Sequence, residues 1–111
     1  MPHDPFAQIE ITPQEAEAKI ASEKCLFVDV REKWEYETSR IEGAVLIPMS
    51  EIPTNLERLR AAGEIILYCH HGRRSLDAAH WLRSQGVEGA RSMSGGIDRW
   101  AVEVDPVVPR Y

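Results

Sequence analysis

Residues 65–75 read Ile65-Ile66-Leu67-Tyr68-Cys69-His70-His71-Gly72-Arg73-Arg74-Ser75, and they decide the fold. The opening run is short, apolar and partly β-branched, the signature of a buried strand. The continuation, Arg74-Ser75-Leu76-Asp77-Ala78-Ala79-His80-Trp81-Leu82-Arg83, spaces its apolar residues for a helix and contains no Gly or Pro. A helix is therefore expected over 73–85, with Gly86 ending it. Strand passes into helix within a few residues, and Cys69 opens the turn. A turn of this kind aims several backbone N–H groups at one spot, beside the positive end of the helix dipole. Sulfur held there is favoured in its nucleophilic thiolate form. The loop carries two arginines, two histidines and no acid, in a chain whose formal net charge is −5. It reads as an anion site built around a nucleophile.

Short periodic pieces separated by Pro and Gly extend in both directions from this loop. Ile9-Glu10-Ile11 reads as a brief edge strand. Thr12-Pro13-Gln14-Glu15 has the N-cap, first-turn Pro and capping-box Glu of a helix start, predicting a helix to about Glu23. Residues 26–30 read as a strand apolar on both faces, and residues 34–39 as a short helix. A strand over 44–47 is stopped by Pro48, and Ser50 is placed to cap a helix from 51 or 53 to Ala62, ended by Gly63. Residues 90–93 complete the strands, and Gly95-Gly96 leads into a helical turn over 97–100. Strand and helix alternate throughout, which predicts an α/β layer architecture with a mainly parallel sheet. Ligands of such sheets bind outside the carboxyl ends of the strands, where both Cys69 and Asp29 fall.

At 111 residues the chain is read as one domain with a single modest core. The acidic balance, with no basic stripe, argues against a nucleic-acid partner. No stretch is long and apolar enough to span a membrane, and Met1-Pro2-His3-Asp4-Pro5-Phe6 lacks the regions of a signal peptide. A cytoplasmic location is expected. Both cysteines are read as free thiols, Cys69 as the reactive one and Cys25 as packing. Cys69, His70, His71 and His80 match no common zinc spacing, so no metal ligand is assigned. Asp29 and Arg31 read as a structural ion pair joining neighbouring loops, and Trp34, Trp81 and Trp100 as core or rim anchors.

Three motifs in order carry a family resemblance. Val28-Asp29-Val30-Arg31-Glu32, Trp34-Glu35-Tyr36 and Ile41-Glu42-Gly43-Ala44 with Ile47-Pro48 resemble the N-terminal signature of rhodanese domains. Tyr68 to Ser75 is similar to their active-site loop, and Ser94-Gly95-Gly96-Ile97-Asp98-Arg99-Trp100 to their closing element. The resemblance covers residues 8–101, leaving 102–111 as a tail. It implies a rhodanese-like three-layer α/β fold, with about five short strands in a mainly parallel sheet and helices on both faces. It also implies a sulfurtransferase in which Cys69 takes a sulfane sulfur from a donor such as thiosulfate and carries it as a persulfide to a thiophilic acceptor. No cofactor is implied.

Within that resemblance, His70, His71, Gly72, Arg73, Arg74 and Ser75 are the expected substrate-binding residues. Gly72 suits a tight backbone curl. The two guanidinium groups can orient a small anionic donor. Ser75 can cap the helix or donate toward the sulfur. The loop from Cys69 to Arg74 has six residues, the length of the family's sulfurtransferases. Relatives that hydrolyse phosphoesters or reduce arsenate have one residue more. The basic loop favours thiosulfate-like or persulfide donors over mercaptopyruvate. Ser39-Arg40 stands where many members have Gly-His, a departure at the rim of the pocket. The tail is similar to the end of rhodanese domains fused behind enzymes that activate ubiquitin-like carriers, which adds a protein sulfur carrier or persulfide donor as an expected partner.

Overall fold

The structure, a computed structural model, describes residues 8–22 and 24–111. Five strands form one sheet: β1 (Glu10–Ile11), β2 (Cys25–Asp29), β3 (Val45–Leu46), β4 (Glu64–Tyr68) and β5 (Ala90–Met93). Their order is β1-β5-β4-β2-β3, and every pairing is parallel. The helices are α1 (Pro13–Glu17), α2 (Lys33–Thr38), α3 (Leu56–Ala62), α4 (Arg73–Ser84) and α5 (Gly96–Glu103).

Central β4 shows why the layers form. Successive strand side chains point to opposite faces of the sheet. Ile65 and Leu67 pack with Leu59 of α3 and Ala78, Ala79 and Leu82 of α4. Ile66 and Tyr68 pack with Ala16 of α1 and Ile97, Trp100 and Ala101 of α5. An unbroken apolar run is what a strand covered on both faces requires. Helices thus flank a parallel sheet on both sides, the three-layer fold expected.

Register then builds the site. Pairing of Asp29 with Tyr68 brings the ends of β2 and β4 level. The Val30 amide donates to the Tyr68 carbonyl at 3.0 Å, so Arg31 follows directly beside the turn opened by Cys69.

Three elements differ from the sequence reading. The capping box at Thr12 and Glu15 is present, yet α1 ends at Glu17. Lys19 and Ile20 donate to carbonyls three residues back, tightening the chain into turns that lead to β2; Glu23, the expected end, lies outside the described residues. Ser50 caps nothing: it sits inside a 3₁₀ turn, Met49–Glu51, followed by a second, Pro53–Asn55, before α3 begins. Pro48 and Pro53 each withhold a backbone donor, which accounts for the delay. The closing helical turn over 97–100 is the middle of a longer helix, α5. Beyond it the tail packs against the body, with Val108 buried in the α1/α5 core.

Candidate active site

Cys69 continues the inward alternation of β4 on the α3/α4 face and is 1% exposed. The chain then curls through His70 and His71 to Gly72, which stands at φ +101°, and α4 starts at the next residue. This left-handed turn folds the backbone onto the sulfur. Gly72 N donates to Cys69 Sγ at 3.1 Å and Ser75 N donates at 3.4 Å. Ser75 Oγ lies 3.5 Å from the same sulfur. The first turn of α4 carries no acidic residue, so its dipole faces the sulfur without an opposing charge. Ser75 does not cap the helix; its hydroxyl is held by Ser92 Oγ at 2.7 Å and donates to the Gly72 carbonyl at 3.2 Å.

The start of α5 supports the loop from behind. Ile97 N donates to the Cys69 carbonyl at 2.9 Å and Asp98 N to the His70 carbonyl at 3.1 Å. Carbonyls of the loop thereby turn away from the sulfur, leaving its amides to face it. Gly96 permits this contact: a Cβ there would overlap the carbonyl oxygens of Cys69 and His70.

Ion pairs and rings surround the loop. Asp29 and Arg31 are both 0% exposed and paired, Arg31 Nε to Oδ1 at 2.9 Å and Nη2 to Oδ2 at 2.6 Å. Arg31 also donates to the Ser39 carbonyl and, at 2.7 Å, to Tyr111 Oη. Tyr111 Oη in turn donates to Glu35 Oε2 at 2.6 Å. Glu35 accepts from both terminal nitrogens of Arg74, at 2.8 and 2.9 Å. Those Arg74 bonds outweigh the effect of burial and, with help from Tyr111 and the Glu32 amide, hold the Glu35 carboxyl down at about 2. Burial, with the Glu35 bond, pushes the Tyr111 phenol up to about 12. The Tyr111 ring stacks on His70 at 4.0 Å, and His70 stacks on His71 at 4.0 Å. Exposed Trp34 meets Tyr111 edge-on at 5.9 Å. Burial and the neighbouring His71 lower the His70 pKa, favouring its neutral form.

The expected site residues thus fall into separate places. Gly72 and Ser75 stand at the sulfur. Arg74 is anchored on Glu35, a carboxylate the sequence reading did not count. The Arg73 side chain is 87% exposed, 3.7 Å from Asp77. His70 and His71 line the ring stack at the rim. Trp34 belongs to this rim, whereas Trp100 is core and Trp81 is exposed. Cys25 begins β2, and burial pushes its thiol up to about 11, an unreactive setting. Asp29 and Arg31 form the structural pair foreseen.

Glu35, Ser92 and Tyr111 were not foreseen. Glu35 sits inside a motif quoted for resemblance alone, and its burial within a short polar helix was the missing signal. His70, His71 and Asp98 bring one potential metal-ligating atom each within 4.8 Å of one another. The two imidazoles, however, lie nearly parallel, and Arg110 holds both Asp98 oxygens at 2.9 and 3.2 Å. That geometry serves a stack and an ion pair better than a shared ion. A cavity of about 400 Å³ between α2 and residues 105–109 has none of its lining in the 69–75 loop.

No helix among the described residues is long and apolar enough to cross a membrane. Known proteins match both the chain and its fold. The thiosulfate sulfurtransferase GlpE of Glaesserella parasuis is 31% identical over 102 residues, covering 92% of this chain and 94% of its own length. A Mycobacterium tuberculosis protein named "Probable adenylyltransferase/sulfurtransferase MoeZ" is 35% identical over 104 residues, 91% of this chain but 26% of that protein. Against two other curated relatives the chain spans 36% and 50% of their length. The solved structure of the human single-domain sulfurtransferase TSTD1 superposes with a TM-score of 0.75 at 28% identity, covering 86% of this chain and 96% of that one. The rhodanese-like domain family itself matches residues 12–103, nearly all of the described fold with its cysteine loop inside, and the chain belongs to that family.

Proposed function

We propose that the protein moves a sulfane sulfur from thiosulfate or a persulfide donor to a thiophilic acceptor through a persulfide on Cys69. The observation that carries this reading is the convergence of Gly72 N, Ser75 N and Ser75 Oγ on one buried sulfur at the start of α4. The two amides, preorganised as donors with the Ser75 hydroxyl beside them, favour an anionic sulfur at the bottom of the loop. The Cys69 thiolate attacks the outer sulfur of thiosulfate, the sulfur–sulfur bond of the donor breaks, and sulfite leaves with its electron pair. The outer sulfur of the resulting persulfide is attacked by an acceptor such as cyanide. Thiocyanate departs and the thiolate returns. The attacking species is the thiolate, so the sulfur-transfer step itself moves no proton.

Anion recognition in this reading falls mainly to the backbone. Arg74 is matched by Glu35, so it braces the loop, while exposed Arg73 adds longer-range attraction. Donor and acceptor in the cell are a small anion, a persulfide or a protein sulfur carrier, the class of partner that the sulfurtransferase relatives support. The test is thiocyanate formation from thiosulfate and cyanide. Wild type is expected to turn over and Cys69→Ser to be inactive with an unchanged fold. Activity retained in Cys69→Ser would remove the proposal.

A further inference from the structure

We infer that Tyr111 is a positioning residue for donor entry, joining the two ion pairs behind the loop and fixing the ring beside Cys69. This rests on the sulfur-transfer reading of Cys69.

Tyr111 is the link in a chain of five polar groups: Asp29, Arg31, Tyr111, Glu35, Arg74. Its hydroxyl accepts from Arg31 at 2.7 Å and donates to Glu35 at 2.6 Å, so each neighbour's need is met by one atom. Its ring lies 14° from parallel with His70, the residue after Cys69. Segment 105–111 is held for this purpose at two earlier points. Arg110 forms a forked pair with Asp98 of α5, and Val108 is buried in the core. An aromatic residue brought in by such anchors, with both ring face and hydroxyl engaged, is a built contact.

The consequence is selective. Groups that touch the sulfur are Gly72 N, Ser75 N and Ser75 Oγ, and Tyr111 bonds to none of them. It governs instead the His70 ring at the rim and the buried Glu35 carboxylate that anchors Arg74. Loss of Tyr111 therefore changes how a bulky anionic donor reaches the sulfur, and leaves the sulfur's own reactivity alone.

Tyr111→Phe and Tyr111→Ala separate hydroxyl from ring. Loading by thiosulfate is expected to fall by roughly 3–10-fold in Tyr111→Phe, the worth of one hydrogen bond, and further in Tyr111→Ala. Discharge of the persulfide by cyanide, a much smaller reactant, is expected to stay within about twofold of wild type in both. By NMR, the His70 ring protons should keep their upfield, ring-stacked shifts in Tyr111→Phe and move downfield in Tyr111→Ala, where only the His71 stack remains. Equal falls in loading and discharge would mean a merely structural role and overturn the inference, as would unchanged loading in Tyr111→Ala. Failure of wild type itself to take up sulfur would instead overturn the sulfur-transfer reading, and with it the donor-entry role.

Discussion

Arg74 and Glu35 close on one another through two hydrogen bonds, at 2.8 and 2.9 Å, between the first turn of α4 and the middle of α2. The pair converts a loop that is cationic in sequence into one whose charge is locally balanced. It also ties the cysteine turn to a second helix, so the cradle is braced from α2 as well as from α5.

That bracing is measurable as coupling. In a double-mutant cycle of Arg74→Ala and Glu35→Gln, the pair should contribute about 1 kcal/mol to unfolding free energy, reduced from the value of a buried charged bond because Arg74 is 38% exposed. Chemical denaturation of the four proteins checks it. Additive losses would mean that the two groups act independently.

Acid stability follows from the same carboxylate. Glu35 sits at about 2 in the folded protein against an ordinary 4.5, so between these values the unfolded chain binds more protons. Its contribution is complete above about 4.5 and is lost as pH falls toward 2. Glu35→Gln should therefore lower Tm at neutral pH and flatten its decline across that acid window. A decline as steep as that of wild type would assign acid sensitivity to other groups.

Gly96→Ala tests the support from α5. The added methyl meets the Cys69 and His70 carbonyl oxygens, backbone atoms that cannot move without opening the loop. The variant should lose both stability, by about 1–3 kcal/mol as for other overpacked sites, and sulfur transfer. Thermal unfolding and turnover are the two readouts. A stable, fully active Gly96→Ala would show that the α5 contact is dispensable.

Much of this arrangement was legible in the sequence, and the boundary has a physical cause. The β4–loop–α4 unit spans contiguous residues, so strand pattern, turn glycine and helix spacing all act locally. The Asp29–Arg31 pair was legible for the same reason, its members being two positions apart. Partners of the loop came from farther off: Glu35 reaches Arg74 across 39 positions and Tyr111 reaches Glu35 across 76. No local pattern encodes such contacts. Helix ends were misread where short-range bonding tightened the chain, after Glu17 and ahead of Leu56.

Ser75→Ala separates the hydroxyl from the amides at the sulfur. Ser75 N keeps its place, whereas Oγ is lost together with its 2.7 Å bond to Ser92. Transfer should slow by roughly 2–12-fold, the worth of one ordinary hydrogen bond, without being abolished. Steady-state kinetics checks this. Full activity would leave stabilisation of the sulfur to the backbone alone.

Intact mass spectrometry after thiosulfate treatment detects a sulfur carried on Cys69. Wild type and Cys25→Ser should each gain the mass of one sulfur atom and lose it on addition of cyanide, while Cys69→Ser gains nothing. A gain that persists in Cys69→Ser, or no gain in a correctly folded wild type exposed to thiosulfate and to a low-molecular-weight persulfide in turn, would rule out the Cys69 persulfide.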